Sequence, residues 1–325
     1  MNRKYVFLIL FLVSMSLNAF AFDIKIASLA PEGSTWMNEL RAIDVDLKKA
    51  TAGQVGLQIY PGGSMGDEQD VLRKIQIGQL HAAGVTGRGL GMILPEIRVM
   101  ELPFLYRDHT DVTKVRNALS SRFSEGFKKK GFVLLGWAEN GFVYIFSQKP
   151  MSTEADLKKG KMWLWVGDPL VAKMYEIFGI TPVPLTVPDV LTSLQTGLVN
   201  AAYAPPLAAA ALQWFTSTSY VTNLPLAHAT GAIIMSNAAW EKVPATHRGV
   251  VLKTFQSHAG KLNDLIQKDN EKALEVLVGS GIKKVSVSPE EASRIRERSL
   301  QVWEAMAGHL YSKELLGDVQ KVLKP

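Results

Sequence analysis

FDIKIASLAPEGSTWMNELRAIDVDLKKATAGQVGLQIY (22–60) indicates the fold class of this chain. Its first nine residues, 22–30, form a short apolar run that is typical of a buried strand. Residues 34–51 carry apolar side chains at helical spacing, and Ser34 is a candidate N-cap. VGLQIY then adds a second strand pattern. A strand–helix–strand unit of this kind predicts an α/β protein with mostly parallel sheets.

The same alternation continues along the chain. Further strands are predicted at 131–139, at 141–147 and within KMWLWV (161–166). A helix with an acidic first turn is predicted at 67–77. Another helix, DPLVAKMYEIFG (168–179), ends on a glycine that suits a left-handed stop.

In open α/β sheets, ligands bind beyond the carboxyl ends of the strands. That rule selects five segments as candidate site regions, namely 30–35, 85–89, 137–140, 163–168 and 203–206. A ligand site is therefore predicted where these segments meet.

Two tryptophans lie two positions apart in GKMWLWVGDP (160–169). Because neighbouring strand residues point to opposite faces, Trp163 and Trp165 share one face. Two alternatives are open for that face. It lines a ligand cleft, or it fills the core of a lobe, since tryptophan is mostly buried on average. The alanine-rich stretch 201–215 is similarly open between close helix packing and an apolar cavity wall, and the two can coexist.

The N-terminus has the layout of a secretory signal peptide. A basic start precedes an apolar run over 5–13, and Ala-Phe-Ala follows at 19–21. The apolar run is short for a bilayer span. We expect a signal peptide over 1–21, cleavage after Ala21 and a periplasmic protein; an uncleaved anchor is the alternative.

Composition excludes several kinds of chemistry. The chain has no cysteine, so disulfides, thiol chemistry and a cysteine-linked lipid anchor are excluded. Its net charge of +6 is modest, and the lysine run 128–130 reads as a solvated helix end. No nucleic-acid partner is predicted.

Two features of the sequence are candidates for catalytic or metal sites. Residues 62–66 match G-x-S-x-G, which would make Ser64 a hydrolase nucleophile. The helix start lies two residues too late for such an elbow, and Pro61 favours an ordinary turn, so a serine hydrolase is only a distant alternative. The six histidines form no close ligand pair, so neither a metal site nor a cofactor is predicted. They are His81, His109, His228, His247, His258 and His309.

Four longer segments follow specific patterns in a fixed order. YPGGSMGDEQDVLRKIQIGQL (60–80) is similar to P-G-G-x-L-G-x-E, and ELPFLYRD (101–108) to x-L-P-F-L-F. DLKKGKMW (156–163) is similar to D-L-K-G-x-K-x-R. Residues 179–206 are similar to a pattern containing A-L-Q-T-G and ending in E-N-P. Through these segments nearly the whole exported chain resembles the periplasmic solute-binding proteins of TRAP transporters, the DctP-like family.

The resemblance implies a two-lobe periplasmic-binding-protein-like fold of α/β class, with one long helix spanning both lobes. The first lobe would comprise 22–139 plus 229–260, the second 140–228 plus 278–325, and the long helix 245–277. Hinge closure would enclose a small molecule that is handed to TRAP membrane subunits. No enzymatic chemistry is implied.

Several positions depart from the family's acid-binding pattern. Members that bind carboxylates place an arginine at the position of Trp163, or of Leu164 if the register shifts by one. Four further polar or aromatic anchors of the family are smaller or apolar here. They fall on Val143, Ala204, Thr86 and Val187.

These departures favour a hydrophobic or amphipathic ligand. A buried carboxylate without a charged partner is costly, whereas an indole favours apolar ligand surface. The alternative is an ordinary organic-acid or dicarboxylate receptor that uses Arg88. The predicted pocket residues are Trp163, Trp165, Trp137, Val143, Thr86, Tyr203 and Ala204, with Asp168 and Arg88 as polar members.

Overall fold

A computed structural model describes residues 22–324, so the predicted signal peptide lies outside the described residues. The strands are β1 Phe22–Ser28, β2 Val55–Tyr60, β3 Ala82–Thr86, β4 Phe132–Trp137, β5 Gly141–Ser147, β6 Met162–Trp165, β7 Pro182–Leu185, β8 Ala201–Ala204, β9 Tyr220–Thr222, β10 Ala227–Ala229, β11 Gly231–Ser236 and β12 Lys283–Val285. The helices are α1 Thr35–Ala50, α2 Glu68–Gln76, α3 Gly87–Ile93, α4 His109–Lys129, α5 Glu154–Lys159, α6 Pro169–Phe178, α7 Val190–Gln195, α8 Pro206–Ala211, α9 Asn237–Trp240, α10 Ala245–Gly279, α11 Pro289–Met306 and α12 Lys313–Leu323.

Local capping signals set several helix boundaries. The Ser34 side chain accepts a hydrogen bond from the backbone N–H of Met37, as predicted for the start of α1. At the end of α6, Gly179 adopts the left-handed conformation with φ of +66°. That residue therefore stops the helix as its position predicted.

The first sheet has strand order β2-β1-β3-β11-β4. Strand β1 runs parallel to β2 and β3, whereas β11 runs antiparallel to β3 and β4. Side chains alternate between two cores, so that Ile26 and Ile233 enter the core under α1 and α10 while Ala27 and Ile234 enter the opposite one.

The second sheet has strand order β12-β9-β5-β8-β6-β7, and β10 pairs with β5. Strand β6 is parallel to β7 and β8, but β5 is antiparallel to β8, β9 and β10. The prediction of mostly parallel sheets is therefore wrong. Strands β11 in the first sheet and β5 in the second pair antiparallel with their neighbours, and both lie next to the segments that pass between the lobes.

Two short links and one long helix join the sheets. Residues 138–140 connect β4 to β5, and Thr230 connects β10 to β11. Helix α10 contacts α1 and β4 on one side and α8 and β5 on the other. The side chain of Asn263 in α10 donates a hydrogen bond to the carbonyl of Trp137 and accepts one from the N–H of Glu139. The helix is therefore hydrogen-bonded directly to the link between β4 and β5.

The C-terminal helices pack on different parts of the molecule. Helix α11 contacts α6, next to the second sheet, whereas α12 contacts α4, next to the first. The lobe ranges stay a prediction, which assigns all of 278–325 to the second lobe. Within residues 22–324, no helix has the length and apolar character needed to cross a membrane.

Candidate functional site

A cavity of about 270 Å³ lies between the two sheets, and its lining is predominantly aliphatic and aromatic. It is lined from the first lobe by residues after β1 and β3, and from the second by residues at the ends of β6 and β8. These are the strand ends at which the sequence predicted a site. The predicted site residues in the lining are Thr86, Arg88, Val143, Trp163, Trp165, Asp168, Tyr203 and Ala204.

Trp137 lies outside this lining. Its indole Nε1 donates to the hydroxyl of Ser120 at 3.0 Å, and its ring packs edge-on against Phe123 in the first-lobe core. As the last residue of β4, it turns towards α4 rather than towards the cavity. Position at a strand end was thus not sufficient to place its side chain in the site.

An indole stack forms the second-lobe wall of the cavity. Trp163 is 2% exposed and stacks on Tyr203, with ring centroids 4.6 Å apart. Trp165 lies on the same face at 5.9 Å, and Trp214 meets Trp163 edge-on at 5.2 Å. The Trp163 Nε1 donates to the carbonyl of Leu185. The two alternatives for this face are therefore not exclusive, since the same rings fill a core and line the cavity.

Hydrogen bonds cross the cleft beside these indoles. Trp165 Nε1 donates to Asp67 of the first lobe at 2.8 Å. In the other direction, Arg88 Nε donates to the carbonyl of Val166 at 3.1 Å, and the guanidinium carbon lies 5.1 Å from the centre of the Trp165 ring. We call these contacts, together with the Arg98–Asp168 pair described next, the interlobe seam.

A buried ion pair completes the interlobe seam. Arg98 Nη2 donates to both carboxylate oxygens of Asp168 at 3.0 Å, and Arg98 Nε lies 3.0 Å from Glu101. Asp168 also caps α6 by accepting from the backbone N–H groups of Leu170 and Val171. Asp168 is therefore engaged within the protein. Sequence reasoning missed Arg98 because its partner lies 70 residues away.

Two carboxyl groups near the cleft have raised pKa values. Burial raises the pKa of Glu68 to about 8, although the N–H of Thr86 and the charge of Arg88 act in the opposite direction. Burial likewise raises the pKa of Glu101 to about 7, opposed by the charge of Arg98. Glu68 is thus largely protonated at neutral pH.

Glu68→Gln is expected to flatten the dependence of stability on pH. Folded Glu68 keeps a proton that the unfolded chain, with an ordinary pKa of 4.5, releases. The free energy of unfolding of the native sequence therefore falls as pH rises from about 4.5 towards 8. Glutamine resembles the protonated acid and carries no such term. Urea denaturation at several pH values between 5 and 8 measures the slope. Glu297→Gln, at an exposed site, should keep the native slope, and an equal slope in Glu68→Gln would contradict the assignment.

A second polar cluster lies at the crossing between the lobes. One ligand-capable atom from each of His109, Glu139 and His228 lies within 4.8 Å of the others. Burial, followed by the charges of His109 and Arg116, lowers the pKa of His228 to about 3. Spacing along the chain predicted no such cluster, because His109 and His228 are far apart in sequence and meet only through the fold.

Residues 26–309 match the family described as "Bacterial extracellular solute-binding protein, family 7", DctP. The chain belongs to this family. The match covers most of the chain, as the sequence resemblance predicted. Family 7 proteins of this kind are TRAP-type periplasmic receptors rather than enzymes; they bind small molecules and work with TRAP membrane subunits.

Several relatives support the assignment to family 7. The C4-dicarboxylate-binding periplasmic protein DctP of Rhodobacter capsulatus is 23% identical over 236 residues, which is 72% of this chain and 71% of that protein. A solute-binding protein of Verminephrobacter eiseniae is 23% identical over 255 residues, which is 77% of this chain and 76% of that protein.

Solved TRAP receptors share the fold. One from Sulfurospirillum deleyianum with bound succinate has a TM-score of 0.87 and 20% identity, covering 93% of this chain and 99% of that one. One from Pseudomonas putida F1 with bound D-glucuronate has a TM-score of 0.86 and 22% identity, covering 94% of this chain and 98% of that one. The predicted two-lobe α/β fold is confirmed.

Membership in family 7 removes the hydrolase alternative. Ser64 is exposed in the turn before α2, and that helix begins at Glu68 behind the N-cap Asp67. Within residues 22–324, no hydrogen bond joins Ser64 to a histidine. The serine therefore has neither the elbow position nor the base that a hydrolase nucleophile requires.

Proposed function

We propose that this family 7 receptor, exported with a cleaved signal peptide, binds a hydrophobic or amphipathic small molecule and delivers it to TRAP membrane subunits. The observation that carries the proposal is the indole stack of Trp163 on Tyr203 in the cavity wall. By the sequence resemblance, the arginine of carboxylate-binding members corresponds to Trp163, or to Leu164 if the register shifts by one.

The neighbouring departures support the same ligand class. Val143, Val187 and Ala204 are buried apolar residues in the lining of the cavity. Thr86 is polar, but its hydroxyl is 3.0 Å from Glu68 and its N–H donates to the same side chain. Apolar ligand surface gains about 25 cal/mol per Å² on such a wall. A carboxylate enclosed there would lack the bidentate partner that offsets its desolvation.

Several polar side chains in or beside the cavity lining already have partners within the protein. Asp168 is held by Arg98 and by the first turn of α6, and Asp67 accepts from Trp165. Two nitrogens of Arg88 donate to the carbonyl of Val166. A ligand rich in charged groups would have to displace these bonds, whereas an apolar ligand leaves them intact.

One observation favours the organic-acid alternative. Nη1 of Arg88 is buried and forms no hydrogen bond, so its N–H groups are available to donate to an acidic head group. However, Asp67 and Glu68 lie 4.0 and 3.9 Å from that nitrogen. The Asp67 carboxylate would repel an incoming acid, and Arg88 on its own therefore supports acid binding weakly.

A matched set of ligands separates the two functions. We expect decanol and decanoate each to raise the melting temperature of refolded, ligand-free protein, and succinate to leave it unchanged, because stabilisation follows ligand affinity. The native protein purified without refolding should also carry an apolar compound in native mass spectrometry. Stabilisation by succinate with none by decanol would overturn the proposal.

Arg88→Gln tests the role of the cation in the same assay. If the wall of the cavity dominates, the variant should retain binding of decanol. A preference for decanoate over decanol that disappears in Arg88→Gln would establish the organic-acid function. Arg73→Gln, at an exposed position on α2, is the matched control and should leave both ligands unaffected.

A further inference from the structure

The cluster at the lobe crossing is composed of residues from three separate elements. His109 is the first residue of α4, Glu139 lies in the link from β4 to β5, and His228 is the central residue of β10. His228 lies opposite Phe142 across the β10–β5 pair. Two imidazoles and one carboxylate thus meet where the chain passes between the lobes.

His228 has no partner for either ring nitrogen. The residue is 1% exposed, and both Nδ1 and Nε2 are buried without a hydrogen bond. The hydroxyl of Tyr106, whose ring meets His228 edge-on at 6.0 Å, is also unpaired. Buried polar atoms normally have partners, so these unpaired nitrogens point to a ligand at this place.

The geometry is close to that of a three-residue metal site. His228 Nε2 lies 3.7 Å from a carboxylate oxygen of Glu139, and one nitrogen of His109 completes a triangle with sides below 4.8 Å. Ligand atoms about 2.0–2.2 Å from a zinc ion lie about 3.3 Å from one another. Side-chain rotations that move these atoms by about 1 Å would therefore bring all three within coordination distance of one ion.

The surrounding groups orient the carboxylate. Arg116 donates to one oxygen of Glu139, and the N–H of Glu139 donates to Asn263 of α10. The second oxygen faces His228 and is left for the ion. Supporting bonds of this type fix the ligands of metal sites, and the carboxylate lies between the guanidinium and the ion.

We propose that His109, Glu139 and His228 bind one Zn²⁺ ion at the crossing between the lobes. Two imidazole nitrogens and one carboxylate oxygen match the ligand preference of zinc, and water fills the remaining coordination position beside Tyr106. The ion ties α4 of the first lobe to the crossing link and to β10. It therefore braces the hinge, and because His228 also lines the cavity, the ion lies next to the solute site.

Zinc titration of the chelator-treated mature protein tests the proposal. Calorimetry should give one Zn²⁺ per chain, and Co²⁺ as a substitute should show the visible absorption of nitrogen and oxygen coordination. His228→Ala and Glu139→Gln should each weaken zinc binding by about 100-fold or more, since even supporting residues typically cost 10–100-fold.

His109→Ala guards against loss of folding, because this half-buried side chain can be removed with less disturbance of the core. It should weaken zinc binding while leaving the circular dichroism spectrum unchanged. The exposed His309→Ala is a control and should bind zinc as the native protein does. His258→Ala is a second control, because His258 pairs with Glu39 and Asp46 rather than with the cluster. The absence of stoichiometric binding, or native affinity in His109→Ala and His228→Ala, would overturn the site.

Discussion

Asp168→Asn is expected to lower the free energy of unfolding by about 3–5 kcal/mol. The substitution leaves the Arg98 guanidinium buried beside only Glu101, whereas the native carboxylate accepts two bonds from Arg98 at 3.0 Å. Asparagine is a good N-cap residue, so the bonds from Leu170 and Val171 to this side chain are retained. The loss therefore reports the ion pair rather than the helix cap. Urea denaturation followed by tryptophan fluorescence measures it.

The double variant Arg98→Met/Asp168→Asn separates the energy of the ion pair from the effect of each single substitution. Arg98→Met removes the cation, so Asp168→Asn should cost far less in that background than in the native protein. Burial already keeps the pKa of Glu101 high, and without Arg98 this group can stay protonated at neutral pH. Equal costs of Asp168→Asn in both backgrounds would show that the pair contributes nothing to stability.

The interlobe seam has a consequence for opening of the cleft. Arg98 and Asp168 belong to different lobes, as do Asp67 and Trp165. Separation of the lobes must break both contacts and expose their charges to water, which replaces the bonds with hydration. These contacts therefore favour the arrangement in which the two sheets face each other across the cavity, and a ligand that contacts both sides adds to that stabilisation.

Features encoded by neighbouring residues were predictable from sequence. Ser34 marks the start of α1, Gly179 marks the end of α6, and Trp163 and Trp165 share a face because strand residues alternate. Each depends on residues within one helical turn or one strand. The family patterns extended this to the two-lobe fold, since they span most of the chain.

Features that depend on long-range meetings were not predictable in this way. Nothing near Arg98 in sequence indicates a bond to Asp168. Likewise, His109 and His228 are brought together only by the return of β10 to β5. Trp137 is an example of a local pattern that gave a wrong prediction. Its position at a strand end predicted a place in the cavity wall, but its contacts with Ser120 and Phe123 place its side chain in the first-lobe core. The positions of helices and strands can thus be predicted from local sequence patterns, whereas the partners of individual side chains depend on tertiary packing.

Trp163→Ala is expected to lower the free energy of unfolding by about 3–5 kcal/mol, the usual range for a buried large aromatic residue. The substitution removes the stacked contact with Tyr203, the edge contact with Trp214 and the bond to the carbonyl of Leu185. Trp163→Phe keeps an aromatic ring over Tyr203 and loses the indole N–H, so it should cost about 1–2 kcal/mol. Urea denaturation of the two variants gives both values.

Ligand affinity then decides whether the indole is a wall of the site or only part of a core. If Trp163 forms a wall of the site, Trp163→Ala should weaken the binding of decanol, because the apolar contact between ligand and indole is lost. Phe123→Ala is the matched control, since Phe123 is fully buried in the first-lobe core and lies outside the cavity lining. It should destabilise the protein similarly and leave decanol affinity unchanged. If both variants bind decanol as the native protein does, Trp163 serves only to fill the core, and the case for an apolar ligand loses its main support.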